Sequence, residues 1–400
     1  MLKYKNLMMI AILIVGSIGT FYVQSAFAKD DLPRYTIHSL KGDKNAVKDI
    51  RLIGSMESDE HYSESVLITN DETKYQSEAS FINQFFGGGI FTSGKILSLQ
   101  KKYHSFMRGK TDLNGFYEDQ NRLIYVKEEH SGSLGTMSHT FDIDILNKKK
   151  NKRDSFQINL PNGNEIHFIE IIDVKIIDDE LKVVTSNFNN SGEEIRVYSI
   201  DLPSKSLVGN NVIASNMNED RDIETFFSGY QELDEMSSVP SVFYNLSKTR
   251  MVLQDSGESV QKEISKETFM YDLEKNKKRT IHFPTKINKE NLLEPQYYYD
   301  KGNIYIVGAT DKGIKVFIYD YIHEKLVKQY DFPLNSKNSN SPLLAVNKDQ
   351  LFIVSNPNEK QDPIEIKRIN VLNGKTTFQG EIKASKTSEK LFKIQEIEIN

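Results

Sequence analysis

LKVVTS (Leu181–Ser186) followed by IRVYSIDLPSK (Ile195–Lys205) is the stretch from which the fold is read. It holds an apolar run, a polar linker, a second apolar run ending on Asp201, and then a lysine-bearing turn. The layout returns in RMVLQD (250–255) with ETFMYDLEKNK (267–277), NIYIVG (303–308) with KVFIYDYIHEK (315–325), QLFIVS (350–355) with EIKRINVLNGK (365–375), and RLIYVK (122–127) with TFDIDILNKKK (140–150). The residue before the turn marks each copy as Asp144, Asp201, Asp272, Asp320 and Asn370. Weaker copies at Ser98 in KILSLQKK and Ser39 in TIHSLKGDK extend the series, with successive spacings of 59, 46, 57, 71, 48 and 50 residues. An Asp, Asn or Ser at a strand exit accepts hydrogen bonds from the turn that follows and so reverses the chain, which makes these markers structural.

The runs alternate in places, with Ile143 and Ile145 against Asp142 and Asp144, and are continuously apolar in others, as in IEIIDVKII (169–177). Such a mixture belongs to an all-β chain in which some strands are buried on both faces. Helix is expected only in the N-terminal segment and for a turn or two in NEDRDIETFFSGYQELDEM (218–236), while KILSLQKKYH (95–104) reads as a short strand. Four strands' worth of chain per period is too long for the coil of a β-helix and suits a four-stranded blade. In that sense the chain resembles the β-propeller repeat proteins over about residues 32–400, though it has no tryptophan and no intact blade fingerprint, so no particular family is implied. The resemblance implies one β-propeller domain over residues 29–400 with about seven four-stranded blades, six being the alternative. Ser39 lacks a strand before it and LFKIQEIEIN (391–400) lacks a marker after it, so the two terminal strands are expected to pair and close the ring.

Residues 1–28 read as a signal or anchor. Lys3 and Lys5 precede the uncharged run Leu7–Val23, and Ala26-Phe27-Ala28 offers small residues at the two positions read by a signal peptidase. The 17-residue run is long for a signal and marginal for a span, at roughly 25 Å as a helix, so cleavage and retention as a membrane anchor both stand. The body is therefore expected outside the cytoplasm, secreted or held at the outer face of the membrane. With no cysteine the chain is not a lipoprotein and forms no disulfide; burial and hydrogen bonding alone must hold it. Loss of residues 1–28 removes two lysines and no acid, taking the net charge from −5 to −7, which argues against a nucleic-acid partner.

GGGIFTSGK (Gly87–Lys95) contains G-x-x-x-x-G-K, yet Ile96 stands where a phosphate loop needs a Ser or Thr for magnesium, so no nucleotide is expected. Phe85, Phe86, Ile90 and Phe91 flank those glycines, and an apolar loop tip is the candidate contact with a partner or membrane surface. The eight histidines show no H-x-H or H-x-x-x-H pair, and His130 and His139, with Glu128 and Glu129, read as solvated loop residues. Asp142 and Asp144 share a strand face but read as an ordinary half-exposed strand, and KKKNKR (148–153) as a solvated hairpin tip. No catalytic residue, metal or cofactor is expected. The reading is a non-catalytic binding or scaffold protein of the cell envelope with a protein or polymer partner; the alternative is a propeller enzyme, hydrolase or lyase, acting on an envelope glycan or peptide.

Overall fold

The computed structural model describes Gly16 and residues 32–56, 64–78, 92–133, 136–216, 223–232, 239–253, 259–333, 342–357, 362–386 and 391–399. Among them lie six sheets of four or five strands, almost wholly antiparallel, of the kind that form the blades of β-propeller architecture. No helix of the described residues is long and apolar enough to cross a membrane. Apart from Gly16, the signal or anchor residues 1–28 lie outside the described set, as do the loop residues Phe85, Phe86, Ile90 and Phe91.

The chain divides into two compact units. One comprises Met1–Gly94, Asn335–Ala345 and Gln350–Asn400, and the other Lys95–Leu334 and Val346–Asp349. In the latter, four sheets follow one another along the chain. Sheet 2 consists of Phe116–Glu118, Arg122–Ser131, Ser138–Asn147 and Lys152–Asn159. Sheet 3 consists of Ile166–Ile177, Glu180–Asn189, Gly192–Asp201 and Ser206–Ser215. Sheet 4 is built from Ile223–Gly229, Ser241–Leu253, Ser259–Asp272 and Lys277–Ile281, and sheet 5 from Leu293–Tyr299, Asn303–Thr310, Gly313–Asp320 and Lys325–Phe332. A short strand, Gln231–Glu232, joins sheet 5 in parallel with Leu293–Tyr299.

The core of this unit lies between successive sheets. Phe141 and Ile143 of sheet 2 pack with Ile169 and Val183 of sheet 3, and Val184 and Val197 from the opposite face of sheet 3 pack with Tyr244 and Phe269 of sheet 4. The central strands are thus buried on both faces, which is why LKVVTS reads as an unbroken apolar run.

In the first unit, sheet 1 has the order Phe392–Ile399, Ile50–Met56, Glu64–Ile68, Thr73–Tyr75. Sheet 6 has the order Leu343–Asn347, Gln350–Ser355, Ile364–Asn370, Lys375–Ala384, Tyr35–Lys41. The terminal strands therefore do not pair with one another as the sequence reading expects. Tyr35–Lys41 runs antiparallel to Lys375–Ala384, and Phe392–Ile399 runs antiparallel to Ile50–Met56. Each end of the chain is built into the sheet made by the opposite end.

The turn markers hold for four copies, and the structure shows how they work. Asp201 accepts from Ser204 N, Asp272 from Glu274 N and Lys275 N, Asp320 from Ile322 N and His323 N, and Asn370 from Leu372 N and Asn373 N. Four residues after each marker the backbone turns left-handed, at Lys205 (φ 54°), Asn276 (52°), Glu324 (53°) and Gly374 (70°). In sheet 2 the equivalent marker is Asn147, which accepts from Lys150 N and precedes Asn151 at φ 47°. Asp144 instead lies inside Ser138–Asn147, where it pairs with Lys110 and Arg153.

At several points the fold differs from what the sequence leads one to expect. KILSLQKK lies in an α-helix, Gly94–Lys102, because Ile96 and Leu99, three residues apart, are both buried against Phe106 and Met107 while Leu97 stays exposed. Ser98 is thus not a turn marker, Ser39 lies in the edge strand of sheet 6, and the described sheets number six rather than seven. The stretch 218–236 supplies strands, Ile223–Gly229 and Gln231–Glu232, since the ladder it makes with Ser241–Leu253 outweighs a weak helical pattern.

Candidate functional site

The first strand of sheet 3, Ile166–Ile177, builds the site. Its pairing with Glu180–Asn189 shifts register between Val184 and Thr185, whose partners are Asp173 and Ile171, so Ile172 is an extra, bulged residue. A one-residue bulge inverts the alternation of side chains. Ile169 and Ile171 before it and Val174 after it consequently all face the core shared with sheet 2. By the same inversion Phe168, Glu170, Asp173 and Lys175 fall on the other face, toward sheet 4. An apparently continuous apolar run therefore carries a polar series on one side.

Along that face opens a cleft of about 200 Å³, lined by Glu170, Ser186, Glu193 and Ile195 of sheet 3 and by Phe227 and Tyr244 of sheet 4, with Asn114 also at its wall. Glu170 is the register partner of Ser186, whose hydroxyl donates to Glu193 Oε1, so the two carboxylates flank one serine across three strands. Two residues further along the same face, Phe168 pairs with Phe188, their ring centroids 5.9 Å apart and tilted by 37°. Phe168 is 54% exposed, an uncommon setting for an aromatic side chain within a ladder.

At the other end of the series lies a buried charge cluster. Lys175 is 3% exposed; its Nζ pairs with Glu232, donates to Val239 O (3.1 Å) and to Tyr299 Oη (3.1 Å), and lies 3.6 Å from Asp173. Burial works against the ammonium, but Asp173, Tyr299 and Glu232 outweigh it and hold its pKa well above the ordinary lysine value. Glu232 is fixed in turn by Val239 N (2.7 Å). Tyr299 and Tyr244 are both pushed up, first by burial, Tyr244 further by Asp173 and Tyr299. Tyr244 thus lines the cleft and also feels the charges behind it. Such a fully paired cluster orients the strands that bear it and keeps Lys175 cationic.

The residues singled out in the sequence distribute as follows. Ile96, at the position where a phosphate loop holds its hydroxyl, is fully buried within the helix Gly94–Lys102. Asp142 accepts from Gln157 (2.6 Å). Burial tends to raise Asp144, but hydrogen bonds from Lys110, Ser155 and Arg153 prevail and hold it below the usual carboxylate range. In KKKNKR, Lys148 is nearly buried and paired with Glu118, and Arg153 pairs with Asp144, so that run is more than a solvated tip. His139 is wholly buried and hydrogen-bonded to Glu128, with His130 its register partner, so it is no solvated loop residue. The sequence reading missed Phe168, Glu170, Ser186 and Glu193. The only local trace is the period-two spacing of Phe168 and Glu170, masked by the isoleucines around them.

No protein-family model and no curated protein matches the chain. Among solved structures, a point mutant of Synechocystis apocarotenoid oxygenase is similar at 8% identity, covering 91% of this chain and 97% of that one with a TM-score of 0.43. A polysaccharide lyase is similar at 13% identity over 67% and 57% of the two chains, TM-score 0.37. The β-propeller domain of the Trilobed protease from Pyrococcus furiosus is similar at 10% identity over 86% and 97%, TM-score 0.28. The propeller-type architecture stated above rests on the six sheets themselves.

Proposed function

We propose that this chain is an exported binding protein of the cell envelope whose sheet 3–sheet 4 cleft takes an uncharged glycan. The observation that carries the reading is the exposed Phe168, beside Phe188 and two residues along the strand face from Glu170, which with Ser186 and Glu193 lines the cleft. A sugar ring has an apolar C–H face and a polar rim of hydroxyls. An exposed aromatic face matches the first, and carboxylate, hydroxyl and amide groups match the second. The lining residues named above carry negative charge and no cation, which favours a neutral polymer over an anionic one. Export is inferred from residues 1–28, with attachment to the membrane through residues 7–23 if they are retained.

A second reading, a hydrolase or lyase acting on the same glycan, is favoured by the two carboxylates flanking Ser186, since glycoside cleavage uses paired carboxyl groups.

Affinity electrophoresis of the full chain through gels containing neutral polysaccharides tests the first reading. Retardation is expected, with at least a tenfold loss of affinity in Phe168→Ala at an unchanged melting temperature. No retardation by any polymer, or equal retardation of the variant, would sink it. Release of new sugar ends by the wild type but not by Glu170→Gln or Glu193→Gln would move the assignment to the enzyme. Cell fractionation and sequencing of the mature N-terminus test export: a chain starting at Lys29 or an intact membrane-bound chain is expected, and full-length cytosolic protein would refute it.

A further inference from the structure

We infer that Glu128, His130 and His139, on sheet 2 and apart from the cleft, form a site for one divalent first-row transition-metal ion. Glu128 and His130 are two residues apart on one strand and so share a face; His139 is the direct cross-strand partner of His130. One ligand atom from each lies within 4.8 Å of the others. In a tetrahedral site two N or O ligands about 2.0–2.1 Å from the ion stand ~3.4 Å apart, so a side-chain movement of about 1.4 Å closes the set. His130, 53% exposed, is free of the packing that would prevent that swing.

The arrangement around His139 distinguishes a ligand site from a chance cluster. Its Nε2 lies 2.9 Å from Ile166 O. A carbonyl oxygen only accepts, so Nε2 carries a hydrogen, and Nδ1 is the ring atom left for a metal ion. That Nδ1 faces Glu128 Oε1 at 2.6 Å, with His139 fully buried. In the ion-free site a proton on Nδ1 bridges the two atoms; a bound metal ion would displace that proton and take both atoms as ligands, which then stand ~3.4 Å apart. A ring N–H fixed on a backbone carbonyl is also the usual outer-shell partner of a metal-binding histidine, since it sets tautomer and ring orientation together. Close approach of the Gly163 turn, where an added Cβ would lie 3.0 Å from His139 N, fixes the strand from the other side. Two imidazoles and one carboxylate form the ligand set of zinc and of other borderline cations, and on the side of the exposed His130 a fourth coordination position remains for water or a further ligand.

The test uses the tag-free full chain in mild detergent, stripped with a chelator and then titrated with zinc and, separately, cobalt(II). One ion per chain is expected, with visible cobalt absorption bands and a zinc-dependent rise in melting temperature. His130→Ala and Glu128→Gln should each lower zinc affinity at least tenfold and abolish the cobalt bands. Because His139 is buried, its replacement risks misfolding and is not the deciding variant; His130→Ala leaves an exposed site and should keep the metal-free melting temperature. A wild-type chain that retains no zinc after dialysis, or variants that bind with wild-type affinity, would overturn the inference. The outcome is independent of Phe168→Ala, so failure here and failure of the glycan reading are separable.

Discussion

Deleting Phe392–Ile399 removes the strand by which the C-terminal end of the chain completes sheet 1. Phe392 and Ile394 are 6% and 2% exposed, and returning two such side chains to water costs about 3–6 kcal/mol. The deletion also takes Glu398 away from Arg51, which is 5% exposed. The burial figure alone is a large share of the ~5–15 kcal/mol by which a domain is stable. Ile50–Met56, buried along its whole length, would become an unpaired edge, inviting association with other chains. Tyr35 would lose its stacking partner, since its ring lies 4.3 Å from that of Phe392. Thermal melts followed by circular dichroism, with gel filtration for oligomers, should show a midpoint lower by many degrees or outright aggregation. Ile394→Ala, a milder probe of the same packing, should cost about 2–5 kcal/mol. A melting temperature unchanged by the deletion would mean that the strand adds nothing to sheet 1, and the account of how the chain ends are secured would fall.

Two further outcomes concern the turns. Asp272 is held below its ordinary value, burial opposing the shift but the hydrogen bonds from Lys275 and Glu274 prevailing. A carboxyl depressed in the folded state adds stability that is present above its unfolded pKa, about 3.9, and is lost as pH falls toward the folded value. Asp272→Asn, which copies the natural arrangement at Asn370, should lower the neutral-pH midpoint slightly, by the stability the carboxylate adds there, and flatten the loss of stability below about pH 4; an unchanged acid limb would refute it. Glu324→Gly should raise stability by up to ~1 kcal/mol and Gly374→Ala lower it by about as much, since a left-handed backbone strains any side chain, and a stabilising Gly374→Ala in chemical denaturation would contradict the turn geometry.

The legible part of the fold was whatever repeats within a few residues. Asp201, Asp272, Asp320 and Asn370 announce themselves because a strand exit, its acceptor side chain and the left-handed residue four positions later are one local device. Asp144 misled because Asn147, three residues on, performs that role, and a carboxylate inside a strand looks the same in sequence as one at its end. The helix Gly94–Lys102 was misread since Ile96, Leu97 and Leu99 fit a short strand and a helix face almost equally, and only the position of Phe106 and Met107 decides between them. The pairing of the chain ends was only half legible. Composition marks two spare strands, but which edge receives each depends on contacts more than three hundred residues apart, such as Ile37 with Ile382.

The candidate site was hidden for a related reason. In IHFIEIIDVKII the residues that share the sheet 4 face, Phe168, Glu170, Asp173 and Lys175, are joined by no single period of two. The bulge at Ile172 restores the phase, and it exists only as a mismatch against Glu180–Asn189. Glu193 and Phe188 enter the face from other strands, and Tyr244 from another sheet. His139 is the converse case. Spacing from His130 places it on a neighbouring strand but says nothing of Ile166 O, the acceptor that fixes its tautomer and turns a histidine at a hairpin into a ligand held ready. In both sites the chemistry is set by one strand's register against the next, so the sequence reports the residues while the ladder decides which of them meet.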